Sequence, residues 1–136
     1  MLVNTSQKTL RVLVVDDNQD QANSLSMLLN DAGHDSHVCV DAQDCMASVD
    51  RLLPDVVLLD LGMPGVSGYE VAEVIKREAD LRHIRLIAIT GHGMPLDRLQ
   101  TKLRGFDQHL LKPIDFEELK MILADVNPTH NSSEGY

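Results

Sequence analysis

The chain has no tryptophan, and only two tyrosines and two phenylalanines in 136 residues. Little aromatic surface is left to sandwich a flavin ring. Basic residues are also scarce: 12 Lys and Arg stand against 21 Asp and Glu, a formal net charge of −9. That balance disfavours direct nucleic-acid binding, because neutralising phosphates needs clustered Lys and Arg. Part of the acidity can instead hold a metal ion. Cys39 and Cys45 are the only cysteines. They fall in predicted strand and helix segments rather than in a close metal-binding pair, and read as buried reduced thiols. No apolar run reaches bilayer length, and Met1 to Thr9 lacks the apolar core of a secretory signal. The expectation is a cytoplasmic protein without membrane insertion. Internal repeats and low-complexity segments are absent as well.

What is present is enough apolar residue, 43% of the chain, to bury one sizeable core. Leu10 to Val15 is an apolar run ending in Asp16 and Asp17, and similar runs recur at Val56 to Leu59 and Leu86 to Ile89. Short runs that are apolar on both faces suit the central strands of a parallel sheet. Two less apolar strands are expected near His34 to Val40 and Gln108 to Leu111. Between the strands lie helical stripes: Ala22, Leu25, Leu28, Leu29 and Ala32, then Ala42, Cys45, Met46, Val49 and Leu52. A third helix fits Tyr69 to Glu78 and a fourth Leu96 to Leu103. The last carries Phe116, Leu119, Ile122, Leu123 and Val126 on one side. Gly33 and Gly105 follow helices, where a left-handed stop favours glycine.

Strict alternation of strand and helix implies a parallel sheet covered on both faces, because right-handed crossovers place the helices there. Ligands then collect at the carboxyl ends of the strands. One domain over 10–126 is expected, between flexible segments at 1–9 and 127–136.

Asp16 and Asp17 end the first run, Asp60 the third, Thr90 the fourth and Lys112 the fifth. In a parallel sheet these ends meet. Carboxylates brought together repel, and a hard divalent cation with oxygen ligands keeps them ionised, which suits magnesium better than zinc. A carboxylate beside such an ion can attack a phosphoryl group, with a lysine offsetting charge on the transferring oxygens. Asp60 is then the nucleophile and Lys112 the counter-charge. The Thr90 hydroxyl can reach a phosphoryl oxygen, and Gly91 leaves the backbone open to close approach. The bland alternative makes Asp16 and Asp17 a helix N-cap and a solvated neighbour. Against it stands the joint arrangement, with every polar group at a strand end and none interrupting the apolar runs.

Val14-Val15-Asp16-Asp17-Asn18, Leu58-Leu59-Asp60-Leu61-Gly62-Met63-Pro64, Ile89-Thr90-Gly91 and Leu111-Lys112-Pro113 resemble, in order and separation, the marks of response-regulator receiver domains. The resemblance covers roughly Leu10 to Val126. It implies a flavodoxin-like, doubly wound α/β fold: a five-stranded parallel sheet of order 2-1-3-4-5 flanked by five helices. It also implies Mg2+ ligation by Asp17, Asp60 and the Gly62 carbonyl, with Asp16 acting through water, and a cis Lys112-Pro113 bond. Pro64, Gly65 and Gly68 match the family's turn after the phosphorylated strand.

The implied function is that of a phosphoacceptor in a two-component phosphorelay. Asp60 would take its phosphoryl group from a histidine kinase or histidine phosphotransfer protein, in a self-catalysed switch rather than an enzyme. One departure is His109, where many receivers carry Tyr or Phe. It is assigned a switch role coupled to Thr90, with a surface histidine as the alternative. Gly62 and His92 border the site at positions that tune phosphoryl lifetime. His34, His37, His83 and His130 read as solvated. The segments Ile87 to Gly93 and Gly105 to Leu110 look more like receivers fused to hybrid histidine kinases than those preceding DNA-binding domains. No effector domain follows Val126, so the chain reads as a stand-alone receiver or a fragment of a longer protein. A small-molecule aspartyl-phosphate hydrolase fits less well, since Asp60-Leu61-Gly62 lacks a second acid two residues on.

Overall fold

A computed structural model of the chain describes residues 9–62, 68–81, 83–91 and 105–128. Its strands are β1 (Arg11–Val15), β2 (Asp35–Cys39), β3 (Val56–Asp60), β4 (Arg85–Thr90) and β5 (Gln108–Leu111). The described helices are α1 (Gln19–Asp31), α2 (Ala42–Leu52), α3 (Gly68–Arg77) and α4 (Phe116–Ala124), with a short 3-10 turn at Ala79–Leu81 that the sequence reading did not anticipate. The sheet order is β2-β1-β3-β4-β5 and every pair is parallel, as expected. The expected helix at Leu96 to Leu103, together with Pro64, Gly65, His92 and His130, lies outside the described residues.

The sheet is central because its middle strands have no polar face. All five residues of β3 are buried, and alternate residues feed separate cores. Leu13, Val15, Val57, Leu59, Leu86 and Ala88 pack with residues of α2 and α3 on one side. Val12, Val14, Leu58, Ile87 and Ile89 pack with residues of α1 and α4 on the other. Burying both faces leaves the strand ends as the place where polar groups can gather.

Helix α1 departs from its expected stripe. Leu28 is 47% exposed, while Ser26 is buried. Its hydroxyl meets that of Ser36 on β2, and the Ser36 hydroxyl also reaches the Ser26 carbonyl and Asn30 Oδ1, each at 3.0 Å. This polar clasp holds the edge strand to its helix with the buried groups satisfied. His34 is likewise not solvated as expected. It is half-buried, and its Nδ1 accepts the Leu10 backbone N–H at 3.2 Å. His37 and His83 are exposed, and Cys39 and Cys45 are buried free thiols, as anticipated.

Entry into β5 depends on one glycine. Gly105 has φ of 102°, and a Cβ there would lie 2.9 Å from Lys76 Cγ. The Lys76 side chain is fixed in that path by its ammonium, which donates to the Ile84 carbonyl at 2.9 Å and pairs with Asp107 at 3.5 Å. Asp107 in turn accepts the Leu86 N–H at 2.9 Å, registering the start of β5 on β4. Among the described residues no helix is long and apolar enough to cross a membrane.

Candidate functional site

Parallel strands ending at one edge bring Asp16, just after β1, beside Asp60 at the end of β3. The ends of β4 and β5 add Thr90 and Lys112. Carboxylate oxygens of Asp16, Asp17 and Asp60 all lie within 4.8 Å of one another. Asp16 and Asp60 are each 4% exposed and Thr90 is 2% exposed, whereas Asp17 faces solvent. The buried pair is oriented by local turns: Asp16 Oδ1 accepts the Asn18 N–H at 2.9 Å, and Asp60 Oδ1 accepts the Gly62 N–H at 2.8 Å. Their Oδ2 atoms are thereby left to Lys112, whose Nζ lies 3.0 Å from Asp60 Oδ2 and 3.5 Å from Asp16 Oδ2. The Lys112 N–H donates to the Thr90 carbonyl at 2.8 Å, extending the β4–β5 pairing to the site. The Lys112-Pro113 peptide is cis, as the resemblance implied.

The bland reading of the Asp pair is corrected by the cap. Helix α1 is capped by Asn18, whose side chain accepts the Gln21 N–H at 3.1 Å, and not by either aspartate. The Asp pair is therefore free of helix-capping duty and joins the strand-end cluster.

Electrostatics reflect this crowding. Burial raises the Asp16 carboxyl above the ordinary aspartate range; the Asn18 N–H opposes that shift, the Asp60 charge adds to it, and Lys112 offsets part. Burial works against the Lys112 charge, but the bonds and charges of Asp60 and Asp16 outweigh it and raise the ammonium pKa. One partly buried cation thus faces a surplus of carboxylate. A second cation bound through oxygen ligands would relieve it, and the all-oxygen donor set of three aspartates fits a hard divalent ion. Thr90 Oγ1 is buried and has no hydrogen-bond partner among the described residues. Buried hydroxyls are rarely left so, and this one sits at the edge where an incoming oxygen would complete it.

His109 is half-buried on β5. Its neighbour Leu110 points into the core shared with α1 and α4, so His109 and the exposed Leu111 face the opposite side of the sheet. Gly62 is exposed beside Asp60, and His92 lies outside the described residues.

Sequence reading missed Gln21. Its side-chain Oε1 accepts from Lys112 Nζ at 3.0 Å, and both residues line a cavity of about 600 Å3 walled by Leu25, Leu28, Ile114 and Phe116 between α1 and α4. The available signal was Asn18 as N-cap, which puts Gln21 in the first turn, on the same helix end as the aspartates.

Residues 12–124 match the family described as the response regulator receiver domain. The chain is 33% identical over 109 residues to the DNA-binding dual master transcriptional regulator RpaA of Synechocystis, covering 80% of this chain but 45% of that protein. It is 31% identical to protein PilH of Pseudomonas aeruginosa, with 80% of this chain and 90% of that one covered. The chain therefore spans less than half the length of some relatives and nearly all of another. Among solved structures, chemotaxis protein CheY4 of Vibrio cholerae superposes with a TM-score of 0.79 at 25% identity, over 88% of this chain and 100% of that one.

Proposed function

The chain belongs to the response regulator receiver domain family, and from that membership we propose that Asp60 accepts a phosphoryl group from a phosphohistidine of a histidine kinase or phosphotransfer protein. The observation that carries this is the strand-end cluster itself: a buried Asp60 held 3.0 Å from Lys112 Nζ, with a buried Thr90 hydroxyl at the same edge that has no hydrogen-bond partner among the described residues. Asp60 is aimed by the Gly62 N–H and keeps its other oxygen on the lysine. A carboxylate oxygen attacks phosphorus, the nitrogen–phosphorus bond breaks, and the imidazole leaves with the electron pair and takes up a proton. Lys112 offsets the charge that spreads over the transferring oxygens. Loss of the group to water regenerates the Asp60 carboxylate and releases inorganic phosphate.

Asp16, Asp17 and Asp60 would hold Mg2+, with the Gly62 carbonyl as a further ligand and Asp16 acting through water. The bound ion supplies positive charge to the phosphoryl oxygens. Thr90 turns its hydroxyl toward the new phosphoryl group, and His109 responds on the neighbouring strand, changing the surface that a partner reads. Gly62 and His92 set how readily water reaches the group. The receiver unit is assigned to 10–126, with 1–9 and 127–136 as its flanking segments. Its chemistry is confined to taking and losing one phosphoryl group, in the cytoplasm, with no nucleic-acid contact of its own. The test is labelling with a phosphorylated kinase or with acetyl phosphate. Wild-type protein should take up one phosphoryl group per chain in the presence of Mg2+ and Asp60→Asn none. Undiminished labelling of that variant refutes the assignment.

A further inference from the structure

We infer that Gln21 is a positioning residue for phosphoryl transfer, holding the Lys112 ammonium in place over Asp60. This rests on the function proposed above and adds a part of the site to it. An ammonium has three donors, and three acceptors surround Lys112 Nζ: Asp60 Oδ2 at 3.0 Å, Gln21 Oε1 at 3.0 Å and Asp16 Oδ2 at 3.5 Å. The two carboxylates are the groups whose charge changes when a phosphoryl group or a cation arrives. Gln21 is the one acceptor that does not change. Lysine has a flexible four-carbon stem with much rotamer freedom, so a fixed neutral acceptor on a helix end restricts where the ammonium can go without adding negative charge beside the incoming phosphoryl group.

The local structure explains why Gln21 is available. A Gln three residues after an N-cap commonly reaches back to the cap's own backbone N–H. Here that N–H is already taken, because Asn18 N donates to Asp16 Oδ1 at 2.9 Å. The Gln21 backbone is still anchored by the Asn18 side chain at 3.1 Å, which leaves its amide directed at Lys112. When Asp60 Oδ2 or its partner oxygen becomes bonded to phosphorus, that oxygen loses basicity. The Lys112 donor facing it turns to a phosphoryl oxygen, with Gln21 as the retained pivot.

The test uses Gln21→Met, which keeps side-chain length and helix propensity but removes the oxygen acceptor. Uptake from saturating acetyl phosphate and subsequent loss to water should both slow by about fivefold, as expected for one hydrogen bond to a charged group at an exposed position. Mg2+ affinity should be unchanged, because Gln21 is not among the clustered carboxylates. Equal rates in the two proteins, with both labelled at Asp60, overturn the inference. Faster uptake in the variant does so too, because it would make Gln21 a competitor for the lysine. A second readout does not depend on phosphorylation. The Lys112 ammonium should give a 15N-edited NMR signal protected from exchange in the wild type and lost in Gln21→Met. An unchanged signal overturns the inference even if the wild-type protein proves not to be phosphorylated, a result that would separately refute the proposed function.

Discussion

Replacing Thr90 with valine should make the unphosphorylated protein more stable and the phosphorylated state less so. Thr90 is 2% exposed and its hydroxyl has no hydrogen-bond partner among the described residues. An unsatisfied buried hydroxyl costs about 1–3 kcal/mol. Valine has nearly the same shape, so Thr90→Val removes that cost without opening a cavity in β4. Taking the low end, the gain is about 1 kcal/mol, and the midpoint of thermal unfolding should rise by roughly 3–6 °C for a domain of this size. Beryllium fluoride in the presence of Mg2+ imitates a phosphoryl group on Asp60 and offers the wild-type hydroxyl an anionic acceptor. A hydrogen bond to a charged group contributes about 1.5–3 kcal/mol, so the stabilisation conferred by the mimic should be smaller in Thr90→Val by about that amount. Urea unfolding of both proteins with and without the mimic measures all four states. A less stable variant without the mimic, or an identical increment from the mimic in both proteins, would refute the reasoning.

Asp16→Asn should stabilise the metal-free protein at neutral pH. Burial raises the Asp16 pKa in the folded state, with Asp60 adding to the shift, so folding favours its protonated form. Its contribution is therefore favourable below the ordinary aspartate range and is lost as pH rises through the raised folded value. Urea titrations in chelator should show the gain at neutral pH and its disappearance in acid; a variant less stable at neutral pH contradicts the sign. Gly105→Ala should destabilise by about 2–4 kcal/mol, from the left-handed backbone and the displaced Lys76 bonds. Lys76→Ala made alongside should restore the steric part, and full additivity of the two changes in unfolding measurements would sink the proposed clash.

The fold was legible because β1, β3 and β4 are apolar on both faces and end in polar residues. A strand buried on both sides leaves a two-sided apolar run in the sequence, and the first polar residue closing the run marks its carboxyl end. Asp60 and Thr90 mark such ends, Lys112 closes the less apolar fifth strand, and the register that brings them together follows from parallel pairing of the strands. What escaped depends on partners distant in sequence. Ser26 is buried in place of Leu28 because Ser36 offers it a hydrogen bond, and no stripe of apolar residues encodes that preference. His34 has its ring nitrogen on the Leu10 N–H across 24 positions. Gln21 meets Lys112 across 91. Hydrophobic periodicity reports which face of an element is buried and is silent about which polar atom completes another's hydrogen bonds.

The most direct test of the central claim is to trap the acyl phosphate and locate it. After phosphorylation in Mg2+, borohydride reduction converts a phosphorylated aspartate to homoserine, which peptide mass spectrometry assigns to one position. Homoserine at position 60 alone, and no conversion when Mg2+ is withheld, is the expected result. Conversion at Asp16 or Asp17, with Asp60 intact, would contradict the account.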